Sequence, residues 1–331
     1  MVDIFCSTNE DEHEFTLGHY ENSLRVSVVY NYILDNVKYR DLIKIPNEYP
    51  VNDIKDLILT SHCKTVINQF IPALESYCSI CDEYTDKTTC QFCNKSEDLE
   101  WKITSDTYIT GKSFIAVVNC IKILLSALDN VKLGLMYQYC LVRPPGHHCF
   151  NKGQGFCLIN NVFVLSEYAV KNGFSRVLIL DYDYHHADGT AKLVNKKLDR
   201  YLISLHAFGK GIFPGKGYYS ENTQNVKNIP FIINDETPKS YYTDDVCIDV
   251  FKRKAIRRIE TFNPELIIIS NGLDGHKDDP LAGLNLTEKF YLYVTEYLKS
   301  LNIPLIYVLE GGYNPRVIRD VSISIIDKLL E

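Results

Sequence analysis

The sequence predicts a single α/β domain, with a central and mostly parallel β-sheet, helices on both sides, and an active site at the carboxyl ends of the strands. Two observations predict this class. Short apolar runs alternate with helix-like segments along the 331-residue chain, and polar residues follow each apolar run at once. Such runs are typical of strands buried on both faces, and their alternation with helices indicates a parallel sheet.

Five apolar runs are the predicted strands, and each ends in residues that can do chemistry. In chain order they are Gln138–Val142 before RPPGHH, Val177–Leu180 before DYDYHH, Tyr201–Leu205 before His206, Leu266–Ser270 before NGLD, and Leu305–Leu309 before EGGY. In open parallel sheets, ligands bind at the carboxyl ends of the strands. We therefore expect these polar clusters to meet in one site.

Amphipathic segments between the runs are the predicted helices. They are Asn22–Asn36, Val51–Ser61, Asn160–Lys171, Thr190–Leu198, Asp249–Glu260 and Thr287–Leu301. Asn172-Gly173 is a helix stop signal, and Thr287 is a typical N-cap. Roughly the first 70 residues are expected to be helical, and a further helix is expected after Tyr108.

Composition and charge exclude several classes of protein. Hydrophobic residues make up 46% of the chain, enough for a large core, and the net charge is -7. Nucleic-acid binders usually carry a basic face, so we expect no direct nucleic-acid binding and a preference for basic peptides or polyamines. The acidic N-terminus lacks the basic and apolar regions of a secretory signal. We expect no membrane association and a cytoplasmic location, with the nucleus as the alternative.

The eleven cysteines fall into two groups. Seven are scattered through apparent core segments and are expected to be reduced and buried: Cys6, Cys63, Cys120, Cys140, Cys149, Cys157 and Cys247. The other four, Cys78, Cys81, Cys90 and Cys93, form two CxxC pairs in a polar insert. This spacing predicts a structural zinc site, with disulfides or unlinked thiols as the alternatives. We expect the insert to shape access for a substrate or partner.

Asp183, His185 and Asp274 are the predicted metal ligands. Residues i and i+2 of an extended segment point to the same side, so Asp183 and His185 can meet one ion. Asp274 ends another predicted strand and can supply a third ligand. Three protein ligands and an open position are typical of catalytic zinc, although Fe2+ also suits this set. The alternative is a strand end capped by solvated carboxylates.

Two further clusters can supply acid–base groups and an oxyanion donor. His147 and His148 follow a stiff Pro-Pro-Gly, and histidine suits both the general base and the general acid. Asp181 and Asp188 can orient them. The hydroxyl of Tyr313, after two glycines, can donate to an oxyanion. The alternatives are an incidental histidine pair and a simple turn with a core tyrosine.

Taken together, the motifs resemble the histone deacetylase superfamily. They are GHYENSLR (18–25), DTY (106–108), RPPGHH (143–148), GFC (155–157), DYDYHHADGT (181–190), SLH (204–206), FPG (213–215), SNGLDGHKDDPLAGLNLT (270–287) and EGGY (310–313). The DDPLAGLNLT stretch is closest to class II and bacterial deacetylase-like amidohydrolases. The match implies an arginase/deacetylase-like fold and one catalytic domain over residues 1–331, with 78–100 as an insert.

The resemblance also implies a role for each matched residue. The zinc ligands would be Asp183, His185 and Asp274; the catalytic groups would be His147, His148 and Tyr313, with Asp181 and Asp188 behind the histidines. The substrate tunnel and its rim would be formed by Gly155, Phe156, Phe213, Leu281, Asp106 and Thr107. A structural K+ would be bound by Asp181, Asp183, His185, Ser204 and Leu205, partly through main-chain oxygens.

The implied activity is zinc-dependent hydrolysis of acetyl-lysine in a peptide or protein, histone tails included, to acetate and a free amine. The alternatives are an acetylated small molecule or polyamine as substrate, and a non-catalytic acetyl-lysine-binding scaffold. Leu281 stands where polyamine-selective relatives carry Glu, which favours a peptide. Gly272 stands where an arginase-like dimanganese site needs a carboxylate, which argues against that chemistry. The oligomeric state is not predicted.

Overall fold

A computed structural model describes residues 2–7, 13–14, 18–62, 64–70 and 101–331. It confirms the predicted class, because one seven-stranded parallel sheet forms the centre of the domain. The predicted zinc insert, with Cys78, Cys81, Cys90 and Cys93, lies outside the described residues, as does Cys63.

The central sheet has the order β1-β4-β9-β8-β5-β6-β7, and a separate two-stranded sheet pairs β2 with β3. The strands are β1 Val2–Cys6, β2 Trp101–Lys102, β3 Tyr108–Ile109, β4 Tyr137–Leu141, β5 Val177–Asp181, β6 Arg200–Gly209, β7 Val226–Ile233, β8 Leu266–Asn271 and β9 Leu305–Leu309. Strands β8 and β5 are adjacent, so the loops that carry Asp274 and Asp183 leave the sheet side by side.

Both faces of the sheet are buried, as the continuous apolar runs require. Alternate residues of β5 enter different hydrophobic cores: Leu178 and Leu180 pack on one side, and Val177 and Ile179 on the other. Helices cover both cores. They are α1 Leu24–Asp35, α2 Val37–Arg40, α3 Val51–Ser61, α4 Lys64–Asn68, α5 Ser113–Lys132, α6 Asn161–Lys171, α7 Asp188–Val194, α8 Asp244–Phe251, α9 Arg257–Phe262, α10 Glu288–Ser300 and α11 Pro315–Leu330.

Helix signals in the sequence match the observed ends closely. Asn160 caps α6 by accepting from Phe163 N at 3.0 Å, and α6 stops at Asn172 as predicted. Thr287 caps α10 through Lys289 N at 3.3 Å. The segment predicted as one helix at 249–260 is instead α8, a π-helical turn at Lys252–Ile256, and α9.

Two strands of the central sheet were not predicted, nor was the short β2–β3 pair, and the expectation of a helical N-terminal segment is wrong at residues 2–6. β1 is short and lies at one edge of the sheet, where it pairs with β4. β7 lies at the other edge and carries Lys227 and Pro230, which interrupt its apolar pattern. An edge strand tolerates proline because one of its sides forms no ladder.

Helix α5 is long and apolar enough to cross a membrane by length and composition alone, but most of it is buried inside the fold. This burial is typical of a core helix. Lys122 and other polar residues interrupt its apolar sequence. The scattered cysteines are confirmed as free and buried wherever the structure describes them: Cys6, Cys120, Cys140, Cys149, Cys157 and Cys247.

Candidate active site

The three predicted metal ligands converge at the carboxyl ends of β5 and β8. One donor atom from each of Asp183, His185 and Asp274 lies within 4.8 Å of the other two. His185 Nδ1 lies 3.3 Å from Asp183 Oδ1 and 3.0 Å from Asp274 Oδ2. Both carboxylates are buried, so one ring nitrogen faces two desolvated negative charges.

Backbone amides of the described residues hold these carboxylates in place, but they reach only three of the four carboxylate oxygens. Asp183 accepts from His185 N at 2.9 Å and from Gly311 N at 2.8 Å, and Asp274 Oδ1 accepts from Tyr184 N at 2.8 Å. Asp274 Oδ2 is buried and receives no backbone hydrogen bond from the described part of the chain, and its partner is His185 Nδ1 at 3.0 Å. A buried carboxylate oxygen that shares one imidazole with a second carboxylate is suited to bind a cation.

The pKa shifts of the cluster have the same origin. Burial and the charge of Asp183 raise the pKa of Asp274 to about 7. Burial lowers the pKa of His185, but hydrogen bonds to Asp183 and Asp274 outweigh it and raise the value to about 9. A cation would offset the crowded negative charge. The donor set therefore fits a metal ion such as Zn2+.

Two glycines press their backbone against the ligands. A Cβ at Gly272 would clash with Asp183, and a Cβ at Gly311 would clash with Asp183 and lie 2.8 Å from Asp274 Oδ2. No side chain fits at position 272, so the bridging carboxylate of a two-metal site cannot be placed there. The structure thus adds a steric reason to the sequence argument against a dimanganese centre.

The tandem histidines lie beside the ligand cluster, and each has its own carboxylate partner. His147 Nδ1 is 3.1 Å from Asp181 Oδ2, and His148 Nδ1 is 3.0 Å from Asp188 Oδ1. The two rings lie 4.0 Å apart between centroids. Both histidines therefore have Nδ1 engaged by a carboxylate, and His147 Nε2 lies 3.7 Å from Asp183 Oδ1.

The environments of the two histidines separate their pKa values. Burial lowers the pKa of His147, but the carboxylates of Asp183 and Asp181 outweigh it and hold the value well above its usual range. For His148, burial and the neighbouring His147 lower the pKa to about 4 despite Asp188. His148 is thus the more readily neutral of the pair.

Several residues that the sequence analysis assigned no role hold the histidine loop. Asn160 Nδ2 donates to Cys149 O at 3.2 Å, Thr190 N donates to His147 O at 3.0 Å, and Gln154 Nε2 donates to His148 O at 2.8 Å. Glu310 Oε2 accepts from Gly146 N at 2.7 Å and from His147 N at 3.2 Å. A glutamate between an apolar strand and two glycines was the available signal for Glu310.

Tyr313 is held in place by contacts to the loop that carries it. Arg25 Nε donates to Gly312 O at 2.7 Å, and the Arg25 guanidinium lies 5.0 Å from the centroid of the Tyr313 ring. Asp279 Oδ2 accepts from Tyr313 N at 2.7 Å. Glu21 joins this loop to the histidine loop, because it pairs with Arg25 at 3.0 Å and with Arg143 at 2.9 Å. Arg25, Glu21, Arg143 and Asp279 were not predicted.

Gly155, Phe156 and Phe213 lie beside His148 and Tyr313. The Phe213 ring packs edge-on against His148 at 4.9 Å, and the Phe156 ring packs edge-on against Tyr313 at 5.6 Å. A Cβ at Gly155 would clash with His148. Glycine at this position therefore lets the turn approach the His148 ring.

Asp106 and Thr107 hold the turn that carries Gly155 and Phe156. Asp106 Oδ1 accepts from Thr107 Oγ1 at 2.8 Å and from Gly155 N at 3.3 Å, while Thr107 Oγ1 accepts from Phe156 N at 3.0 Å. Phe156 has a φ of 67°, a backbone conformation that costs energy for a residue other than glycine. These hydrogen bonds stabilise it.

The residues of the predicted K+ site are also brought together. Asp181 and Ser204 are register partners on β5 and β6, and Asp181 Oδ1 accepts from Asp183 N at 3.1 Å. Ser204 and Leu205 are buried. Leu281 is 37% exposed, in the loop that follows β8.

Comparison with known proteins agrees with this architecture. A family model described as the histone deacetylase domain matches residues 19–329. The chain is 34% identical over 222 residues to a probable deacetylase from Methanothermobacter thermautotrophicus, covering 66% of each chain. It is 28% identical to acetylpolyamine amidohydrolase 1 of Pseudomonas aeruginosa, over 64% of this chain and 61% of that one. The matched segments thus span about two thirds of these relatives or less.

Among solved structures, the chain is similar to the HDA15 HD domain. The TM-score is 0.82, with 25% sequence identity, over 99% of this chain and 88% of that one.

Proposed function

The chain belongs to the histone deacetylase family, and we propose that it hydrolyses the acetyl amide of an acetyl-lysine carried by a peptide or protein. One observation carries the proposal. A buried Asp183–His185–Asp274 cluster lies beside two histidines, each of which has its own carboxylate. A metal-ligand set next to a paired acid and base is the arrangement that amide hydrolysis needs.

We assign Asp183, His185 and Asp274 to Zn2+. When bound, zinc supplies a Lewis acid for the amide carbonyl and lowers the pKa of water toward ~7. The Asp274 oxygen that no backbone amide of the described residues reaches, and that pairs with His185, supports this assignment. Asp181, Asp183, His185, Ser204 and Leu205 are proposed to hold a structural K+, and Cys78, Cys81, Cys90 and Cys93 a second, structural Zn2+.

His148 is proposed to accept the proton of the attacking water. Its Nδ1 is fixed by Asp188, and that carboxylate is shared with Gln154 Nε2 at 3.1 Å and lies 3.8 Å from Lys192 Nζ. The negative charge behind His148 is thus partly offset. His147 lies between Asp181 at 3.1 Å and Asp183 at 3.7 Å and keeps its proton more firmly.

The remaining roles follow from position. The Tyr313 hydroxyl donates to the oxyanion that forms when the carbonyl is attacked, and the tandem histidines return a proton to the leaving amine. Phe156 and Phe213 enclose the aliphatic stem of the lysine and exclude water, since an apolar slot suits a methylene chain with a polar end. The products are acetate and the free amine.

A peptide is favoured over a free polyamine by the residue at position 281. Leu281 is half-exposed, in a loop fastened to the Tyr313 loop by the hydrogen bond from Asn314 Nδ2 to Asp278 O at 2.9 Å. An apolar side chain there offers no charge to a second ammonium group of a polyamine. The polyamine alternative keeps its place because one relative is an acetylpolyamine amidohydrolase.

The test is turnover of a fluorogenic acetyl-lysine peptide, with bound metal measured by mass spectrometry. We expect turnover that a chelator abolishes and Zn2+ restores. His148→Ala and Tyr313→Phe should each lower kcat by about 10²-fold or more while keeping the metal. Tyr241→Phe is the matched control, because Tyr241 is exposed and distant in sequence from His148 and Tyr313. It should behave as wild type.

Substrate class is tested in the same assay. We expect kcat/KM for the peptide to exceed that for acetylated putrescine or spermidine, and Leu281→Glu to shift the ratio toward the polyamine by about 10-fold. Preference of the wild type for polyamines would favour the small-molecule alternative. Binding of the peptide without any turnover by the metal-loaded protein would favour the scaffold.

A further inference from the structure

Asp279 is buried at the junction of two loops of the site. Its side chain is only 9% exposed, although the neighbouring Asp278 is mostly exposed. Both oxygens of the Asp279 carboxylate accept hydrogen bonds from main-chain N–H groups. Oδ1 accepts from Leu281 N at 2.9 Å and Ala282 N at 3.2 Å, and Oδ2 accepts from Tyr313 N at 2.7 Å.

Few other hydrogen bonds of the described residues join the Leu281 loop to the Tyr313 loop at this point. Leu273 N donates to Gly311 O at 2.9 Å near the sheet, and Asn314 Nδ2 donates to Asp278 O at 2.9 Å near the surface. Between these contacts, Asp279 holds the backbone of Tyr313 itself. Because Gly311 and Gly312 precede Tyr313, the chain there has little stiffness of its own.

We propose that Asp279 is a positioning residue that fixes the catalytic tyrosine through the main-chain N–H of Tyr313 and couples it to the Leu281 loop. This inference rests on the proposed function, in which the Tyr313 hydroxyl stabilises the oxyanion. Oxyanion donors act only when they are held at the right distance beforehand. One carboxylate that accepts from both loops sets the position of Tyr313 relative to the substrate entrance.

Asp279→Asn is the sharpest variant. An asparagine has one carbonyl oxygen, and the orientation that keeps both bonds from Leu281 N and Ala282 N turns its NH2 group toward Tyr313 N, so that the bond from Tyr313 is lost. A buried donor left unpaired costs enough for us to expect a fall in kcat of about 10-fold or more. KM should change by less than about 3-fold, because the tunnel walls are untouched. Bound metal should be unchanged.

The matched control is Asp278→Asn, next in the chain. Its side chain is 60% exposed and lies 3.8 Å from His276, so kcat and KM should stay at the wild-type values. Asp279→Ser is a second variant that removes the donor conflict and leaves room for a water. It should lose less kcat than Asp279→Asn. This variant keeps the test open if the asparagine variant folds poorly.

A double-mutant cycle separates positioning from a general effect on structure. If Asp279 acts through the Tyr313 hydroxyl, Asp279→Asn should cost less than about 3-fold in a Tyr313→Phe background. The same loss of kcat in both backgrounds would show that the two residues act independently, and it would overturn the proposal.

Amide hydrogen exchange tests the same contact without activity. In Asp279→Asn, exchange at the Tyr313 amide should be faster by about 10-fold or more, while exchange in α5 stays unchanged. Unaltered exchange at Tyr313 would overturn the inference even if kcat fell. If the wild-type protein turned over neither acetyl-lysine peptide nor acetylpolyamine, the proposed function would fail, and the exchange result would still decide whether Asp279 holds this loop.

Discussion

The histidine loop and the ligand cluster are neighbours, but the protein completes only the first of them by itself. The carbonyls of His147 and His148 are bonded to Thr190 and Gln154, and each ring meets its own carboxylate. In the ligand cluster, Asp274 Oδ2 is reached by no backbone amide of the described residues, it shares His185 with Asp183, and its carboxyl has a raised pKa. The chain alone thus fixes the two histidines, whereas a bound cation would offset the crowded carboxylates of the ligand cluster.

Asp274→Asn should have the largest effect, because it changes the ligand cluster directly. We expect metal binding to be lost and kcat to fall by about 10³-fold or more. In samples treated with chelator, the variant should be more stable than the wild type by about 1–3 kcal/mol, because the repulsion between Asp183 and Asp274 is gone. Thermal unfolding of chelated samples measures this difference.

The control for that experiment is Asp245→Asn, an aspartate whose side chain is 82% exposed. It should bind metal and unfold as the wild type does, with and without chelator. A chelated Asp274→Asn protein that unfolds below the chelated wild type would contradict the idea that the cluster is under electrostatic strain.

A pair of glycine substitutions should separate the two regions. In Gly311→Ala the new Cβ meets Asp183 and Asp274, so metal affinity should fall by about 10–100-fold. In Gly146→Ala it meets Asn161 N and Ile159 O behind the histidines, so kcat should fall with the metal retained. Titration with a zinc indicator, together with kcat, distinguishes these outcomes. Equal metal loss in both variants would mean that the regions are not independent.

Asp188→Asn should have a smaller and purely kinetic effect. The neutral amide still reaches His148 Nδ1 but no longer stabilises a charged ring, so we expect kcat to fall by about 10–100-fold. Metal content should match the wild type, since Asp188 contacts none of the three proposed ligands. Loss of metal in this variant would contradict the separation of the two regions.

Glu310→Gln should have the smallest effect, visible in the pH dependence of stability. Burial raises the pKa of Glu310 to about 7, so between its ordinary value of 4.5 and 7 the folded protein holds a proton that the unfolded chain has lost. This group therefore makes stability fall as pH rises through that window. In the variant that contribution disappears, and stability from urea unfolding should fall less between these pH values. An unchanged pH slope would place the Glu310 pKa near 4.5.

Local spacing predicted the centre of the site. The i and i+2 relation of Asp183 and His185, and the placement of polar residues after apolar runs, were enough to bring Asp274 and the histidines together. The same reasoning named Asp181 and Asp188 as the partners of the two histidines, and the structure shows which aspartate meets which ring.

Contacts between distant parts of the chain were beyond such rules. Arg143 and Glu21 are 122 positions apart and meet only because β4 and the segment before α1 converge. β7 was missed because Pro230 and Lys227 interrupt its pattern, and nothing in the spacing indicates that it lies at an edge of the sheet. Backbone positions such as Tyr313 N give no sequence signal at all, so Asp279 became visible only through its hydrogen bonds.

The buried thiols can report when the hydrophobic core opens to solvent. Burial raises the pKa of Cys120, Cys140 and Cys157 far above that of a free thiol, and a protonated, covered sulfur is inert toward disulfide reagents. Labelling at these positions must wait until the core is exposed. The rate at which such a reagent is consumed in native buffer therefore follows the rare opening of the one core that contains all three cysteines, without any added probe.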